Sequence, residues 1–153
     1  MDAPTALIDS NIFAYVFDGQ EKEKQKRAKE LLAKCWRGEA RYAVSVQNLA
    51  EFAVIVTEKA THPLPEKTVQ EFIRTIVSFD GWIKIVYSGE TIAEALKIRS
   101  GYHIHFWDAL IIATMQEHAI GSIYSEDRHL ARVPSVTLIN PFEPGSDSNP
   151  DIA

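Results

Sequence analysis

Residues 106–130 read FWDALIIATMQEHAIGSIYSEDRHL. Phe106, Trp107, Ala109, Leu110, Ile111, Ile112 and Ala113 form an almost unbroken apolar run with Asp108 set inside it. The run predicts a helix from Asp108 to Ala119, stopped at Gly121, and SIYS (122–125) predicts the strand that follows. A carboxylate in such surroundings loses much of its hydration, which costs several kcal/mol unless something compensates. Two readings of Asp108 stand side by side. It can cap the helix, a position that favours Asp, although no Glu or Gln follows to complete a capping box. It can equally face a polar pocket, whose contents the rest of the chain must supply.

Outward from this stretch, strand and helix patterns alternate. TALI (5–8) is a short apolar run ending at Asp9, and SNIFAYVF after it predicts a helix capped by Ser10 or Asn11. Residues 20–38 place Ala28, Leu31, Leu32, Cys35 and Trp36 on one helical face, with Gly38 as the stop. RYAVSV (41–46) and IKIVY (83–87) predict strands. Helices are predicted over 47–60, 65–81 and 88–102, the last capped by Ser88, and VTLIN (136–140) closes the strand set. Regular alternation of this kind defines an α/β protein: a mainly parallel central sheet flanked by helices, in three layers. There is no internal repeat.

The chain has 153 residues, 46% hydrophobic and 24% charged, which fits one soluble domain. That domain is expected to cover residues 1–142, with an acidic, disordered tail at 143–153, EPGSDSNPDIA. The formal net charge of -5 argues against a sequence-blind nucleic-acid coat, but three of those charges lie on the tail residues Glu143, Asp147 and Asp151. No signal peptide is expected at the start, no apolar run approaches the ~20 residues needed to cross a bilayer, and Cys35, the single cysteine, can form no internal disulfide. A cytoplasmic location without membrane contact is expected.

In open parallel sheets, ligands bind beyond the carboxyl ends of the strands, near the point where strand order reverses. Asp9 directly follows the first strand, Asp127 lies two residues past SIYS, and Glu51 sits one turn into the helix after RYAVSV. Asp108 joins them if the N-terminus of its helix points back to the same edge. Two carboxylates 4 Å apart repel by ~4 kcal/mol at an effective dielectric of 20. Such a cluster is tolerable if the acids take up protons or if divalent cations sit among them, and hard oxygen ligands select Mg²⁺ or Mn²⁺. Each acid also has a plainer reading: Asp9 as a turn residue, Glu51 as a solvated helix position, Asp127 as a loop acid.

Taken together, LIDSNIFAYVF, the glutamate in SVQNLAEFAVI, FWDALIIATMQEHAIGSIYSEDRHL and VTLINPF resemble the PIN-domain ribonucleases, most of all the VapC-type toxins of toxin–antitoxin pairs. The resemblance runs from about Thr5 to Phe142, and FWDALI followed by YSED is its most specific part. It implies a PIN-like sandwich in which Asp9, Glu51, Asp108 and Asp127 are the catalytic acids, with Asp9, Asp108 and Asp127 as metal ligands. Asn11 and Ser125 fall at supporting polar positions, and Glu126 adds an acid with no assigned role. His105 departs from the pattern, since many relatives carry a small residue before Phe-Trp-Asp.

The implied reaction is metal-dependent hydrolysis of RNA phosphodiesters, giving a 5′-phosphate and a 3′-hydroxyl. Lys22, Lys24, Lys26, Arg27 and Lys29, the pair Lys97 and Arg99, and Arg128 with His129 are candidate phosphate contacts at the rim. Glu21, Glu23 and Glu30 interleave the first group and favour an ordinary solvated helix face. The implied partners are RNA, an antitoxin chain laid over the groove, and a second copy of the chain. Ile12, Val16 and Phe17 form either a homodimer patch or part of the core.

Alternatives remain. His103 and His105 can point to one side of an extended segment, but with one cysteine and no third histidine nearby a zinc site is disfavoured. No serine has the G-x-S-x-G context, and the phosphate-cradling G-x-x-x-x-G-K is absent. Haloacid-dehalogenase-like phosphatases also gather acids at strand ends, yet they carry D-x-D where this chain has Asp9-Ser10-Asn11. A PIN-fold nuclease of RNA processing and a non-catalytic assembly module are the other two.

Overall fold

Residue alternation in the short central strands sets the layers of the protein. The computed structural model describes residues 6–144. In β1 (Ala6–Ile8), Ala6 and Ile8 face one side and Leu7 the other; in β2 (Tyr42–Ser45), Tyr42 and Val44 oppose Ala43 in the same way. β3 (Ile83–Ile85), β4 (Ser122–Tyr124) and β5 (Thr137–Ile139) complete a sheet of order β3-β2-β1-β4-β5. All the pairings are parallel, with Leu7 opposite both Ala43 and Ile123. The order reverses between β1 and β4, which places a crevice beyond their carboxyl ends.

Helices α1 (Ser10–Val16), α2 (Lys22–Trp36), α3 (Val46–Val54) and α4 (Glu66–Ser78) contribute to the core on one face. Phe13, Phe52, Phe72 and Trp82 interlock there, with ring centroids 5.3–6.2 Å apart. Helices α5 (Gly89–Tyr102) and α6 (Phe106–Glu117) cover the other face. In α6, every residue from Ala109 to Met115 is buried, which explains its nearly continuous apolar sequence.

Several boundaries differ from the sequence expectations. The cap of α1 is Asp9, whose side chain accepts from the Ser10 amide, rather than Ser10 or Asn11. The helix expected at 47–60 relaxes after Val54 into a π-helical turn, Ile55–Lys59. Helix α6 begins two residues before Asp108, at Phe106, with His105 as a cap that makes no side-chain bond; the capping reading of Asp108 therefore fails. Its far end turns at Ala119, a left-handed residue with φ 55°, and not at Gly121. Ile12 is fully buried while Val16 and Phe17 pack partly buried against the same core, which favours the core reading of that group over a dimer patch. The expected tail beyond Pro144 lies outside the described residues.

Candidate active site

Asp9 leaves β1 at the crevice, with its amide held by the Tyr124 carbonyl of β4 at 3.1 Å. It is buried, at 6% exposure, and both of its carboxylate oxygens accept hydrogen bonds. Oδ1 accepts from the Ser10 amide at 2.8 Å and from Asn48 Nδ2 at 3.2 Å. Oδ2 accepts from Ser125 Oγ at 2.7 Å and from Asn11 Nδ2 at 3.3 Å. Ser125 Oγ in turn accepts from Asn11 Nδ2 at 3.1 Å and from the Asp127 amide at 3.0 Å. One hydroxyl thus ties the exit of β1 to the loop after β4. Asn11 and Ser125, expected as supporting polar residues, both donate to the Asp9 carboxylate.

Asn48 was not among the expected site residues. It closes a capping box on α3: its amide donates to Ser45 Oγ at 2.9 Å, and its Oδ1 accepts from that hydroxyl at 2.7 Å. This leaves Nδ2 free for Asp9. The signal in the sequence was Ser45-Val46-Gln47-Asn48, a capping box with Asn in the place usually held by Glu or Gln.

The other acids reach the crevice by topology. Helix α3 starts where β2 ends, so Glu51 comes to the same edge. Helix α6 runs back against the direction of the strands before feeding β4, which puts its first turn, and Asp108, at the strands' carboxyl ends. Asp9, Glu51 and Asp108 each feel neighbouring acids. Burial first, then Asp9 and Asp108, push the Glu51 carboxyl up to about 7. Burial, then Asp127 and Asp9, push Asp108 up to about 6, partly opposed by His105 and His129. Asp9 is raised mainly by burial, against the lowering influence of its Ser125 and Ser10 hydrogen bonds. Asp108 therefore lies within electrostatic reach of the other three acids, a polar surrounding for the carboxylate in its apolar run.

These residues fit a divalent cation. Three buried oxygens around the crevice, Glu51 Oε1, Asn11 Oδ1 and Gln47 Oε1, lack any hydrogen-bond donor. All three are hard acceptors, the donor type that takes Mg²⁺ or Mn²⁺ and their waters. Among the described residues no three Asp, Glu, His or Cys side chains form a ready-made ligand cage, so the acids border a shared space instead of closing on a point.

Asp127 and the expected rim residues come from the loop after β4 and from the surrounding helices. Asp127 caps a 3₁₀ turn, Arg128–Arg132, accepting from the His129 amide and facing its ring nitrogen, both at 3.0 Å. Arg128 is exposed and turned to Glu143, at 3.6 Å. Glu126 points away from the acids to Tyr15 Oη at 2.5 Å and Lys24 Nζ at 3.0 Å, which accounts for Lys24 as a structural cation. Lys97 pairs with Glu94 at 3.1 Å. A cavity of about 570 Å³ adjoins the site, walled by Asn11, Tyr15, Phe17, Val56 and Leu64, with Lys59 and His62 beside them.

Over residues 6–136 the sequence matches the family model of the PIN domain. Comparison with curated proteins yields no match. A toxin–antitoxin complex from Klebsiella pneumoniae is similar at 23% identity and TM-score 0.61, covering 90% of this chain and 98% of that one. FitAcB from Neisseria gonorrhoeae is similar at 20% identity and TM-score 0.63, with the same two coverages, 90% and 98%. VapC20 of Mycobacterium tuberculosis, a sarcin-ricin loop cleaving toxin, is similar at 15% identity and TM-score 0.62, over 82% of this chain and 92% of that one. At these identities the likeness establishes the fold. The chain belongs to the PIN domain family. Its reaction class is accordingly that of a nuclease, and PIN domains in general depend on divalent metal; the phosphatase alternative falls away.

Proposed function

We propose that this protein is a metal-dependent endoribonuclease and the toxin of a toxin–antitoxin pair, acting in the cytoplasm. What supports the nuclease reading is that Asp9, Glu51, Asp108 and Asp127 come to one sheet edge, where Asp9, Glu51 and Asp108 all have raised proton affinities and neighbouring acids are among the causes. Asp9, Asp108 and Asp127 would hold Mg²⁺ or Mn²⁺, with Glu51 completing the site directly or through water. The bound cation supplies Lewis acidity to the scissile phosphodiester and the attacking water. Ser125 and Asn48 fix the direction of the Asp9 carboxylate. Glu51, with Oε1 unpartnered, is free to receive a water or its proton. The products would be a 5′-phosphate and a 3′-hydroxyl.

The toxin reading rests on the resemblance of the motifs and on similarity to a toxin–antitoxin complex and a sarcin-ricin loop cleaving toxin. The partly apolar cavity beside Asn11 offers an antitoxin segment a seat next to the site. Self-association would use apolar surface other than Ile12; Ile92 and Leu96 on α5 remain exposed. Among the described residues no helix is long and apolar enough to cross a membrane.

The purified protein should cleave single-stranded RNA with Mn²⁺ or Mg²⁺, and lose this activity in EDTA or in Asp9→Asn. Undiminished cleavage in EDTA would reject the metal mechanism. Expression should arrest growth, with relief from a small partner encoded beside it; normal growth by a cleaving enzyme would move the role to RNA processing.

A further inference from the structure

A second groove lies beside the start of α6, at His105, Phe106 and Trp107. It has a volume of about 620 Å³ and is lined by Arg99, His103, His105, Trp107, His129 and Arg132, together with Ile104 and Phe106. None of these is acidic, in a protein whose net charge is -5. The chain's own turns build it. His103 ends α5 in the left-handed conformation, at φ 54°, and its carbonyl accepts from Arg132 Nη1 at 3.0 Å, which fixes that guanidinium at the wall. The rings of His105 and His129 lie 6.5 Å apart across the groove. His129 also touches Asp127, and both histidines act on Asp108, so the groove runs into the acid pocket.

Trp107 is the unusual member. It is 58% exposed, whereas Trp82 is 1% exposed in the core. Its backbone carbonyl accepts from Gln47 Nε2 at 2.9 Å, and its ring stands edge-on to Phe106 at 5.2 Å. The indole is therefore held in place while much of it stays in water, next to the acid that the nuclease reading makes a metal ligand. Forked cations beside a fixed exposed aromatic ring suit a flexible polyanion with planar bases: phosphates meet the guanidinium groups and an unpaired base stacks on the indole.

We propose that this groove binds the single-stranded RNA flanking the cleaved phosphate, with Trp107 as the stacking platform for one base and Arg99 and Arg132 as phosphate contacts. This assignment rests on the nuclease reading of the neighbouring acids and specifies how they receive substrate.

Fluorescence anisotropy of a short 5′-labelled single-stranded RNA, with the full chain in EDTA, tests binding apart from cleavage. Trp107→Ala should weaken binding by about tenfold, and Trp107→Phe should restore most of it, because stacking survives in the smaller ring. Arg99→Gln combined with Arg132→Gln should reduce the slope of log affinity against log salt by about 1.4, at roughly 0.7 per phosphate contact on a single strand. If the wild type cleaves RNA with Mn²⁺ while these variants match it in RNA affinity and KM, the groove assignment is overturned and the nuclease reading stands. Variants that keep RNA affinity but lose a protein partner would overturn it in favour of a protein surface. If the wild type neither binds nor cleaves RNA, the functional reading fails and takes the groove with it.

Discussion

Ser125 Oγ donates to Asp9 Oδ2 at 2.7 Å, joining residues 116 positions apart at the carboxyl ends of neighbouring strands. The same hydroxyl accepts from the Asp127 amide, so one small side chain sets the position of two of the four acids. A buried bond to a carboxylate contributes more than a neutral one, and its loss leaves Asp9 short of a donor. Ser125→Ala should destabilise the fold by about 1–3 kcal/mol in denaturant titrations. It should also weaken metal-dependent cleavage. Wild-type stability in this variant would mean that the bond does not order the site.

Asn48→Ala removes both halves of a shared device, the capping box of α3 and the second anchor of Asp9. Losing the cap alone should cost about 1 kcal/mol, and the Asp9 bond adds to it. The expected kinetic signature is a fall in kcat larger than any rise in KM, since the Asp9 carboxylate is misdirected while the RNA groove is untouched. A change confined to KM would contradict it.

Crowding of the acids sets a pH dependence with a definite sign. In the folded protein, Glu51 titrates at about 7 and Asp108 at about 6, both above their ordinary values of 4.5 and 3.8. Between the ordinary and the raised values the folded chain binds more protons than the unfolded one, so stability is greatest at low pH in this window and declines as pH rises through 7. Without metal, the melting temperature should fall from about pH 5 to about pH 8, and Mg²⁺ or Mn²⁺ should raise it more at the upper end. A melting temperature that climbs across this range would contradict the shared acid pocket.

Asp108→Asn separates stability from activity. Removing one charge from the cluster relieves Glu51, Asp9 and Asp127, so the metal-free variant should melt higher than the wild type near pH 8. Cleavage should fall by about 100-fold or more if Asp108 stabilises charge in the reaction through metal. A variant that cleaves normally would remove Asp108 from the chemistry.

Glu126 provides the control. It is bound to Tyr15 and Lys24, with 30% of its side chain exposed. A Lys24→Met, Glu126→Gln double-mutant cycle should give a coupling of about 1 kcal/mol or less, as partly exposed ion pairs do. Glu126→Gln should keep metal-dependent cleavage within a few-fold of the wild type; complete loss would bring this fifth acid into the site.

The architecture was legible in the sequence because the strands are short apolar runs, each followed by turn chemistry, and because helix spacing is clear in α2 and α6. Asp9, Glu51, Asp108 and Asp127 could be placed at one edge by topology and resemblance. Three things were out of reach. Asn48 acts across 39 residues through a hydrogen bond that no local pattern encodes, although its capping box was visible. Ala119 and His103 adopt left-handed turns that glycine would normally mark, so Gly121 drew the helix end too late. The partners of Glu126 and Arg128 depend on how the loop after β4 folds back onto α2 and Pro141–Glu143, which side-chain type alone does not determine.

Because β4 sits beside β1 in space yet arrives more than a hundred residues later, a chain emerging from the ribosome carries Asp9 long before Ser125 and Asp127 exist to meet it. On the proposed reading of these acids, synthesis imposes its own safety interval, because a growing chain gains its full set only once β4 has paired with β1.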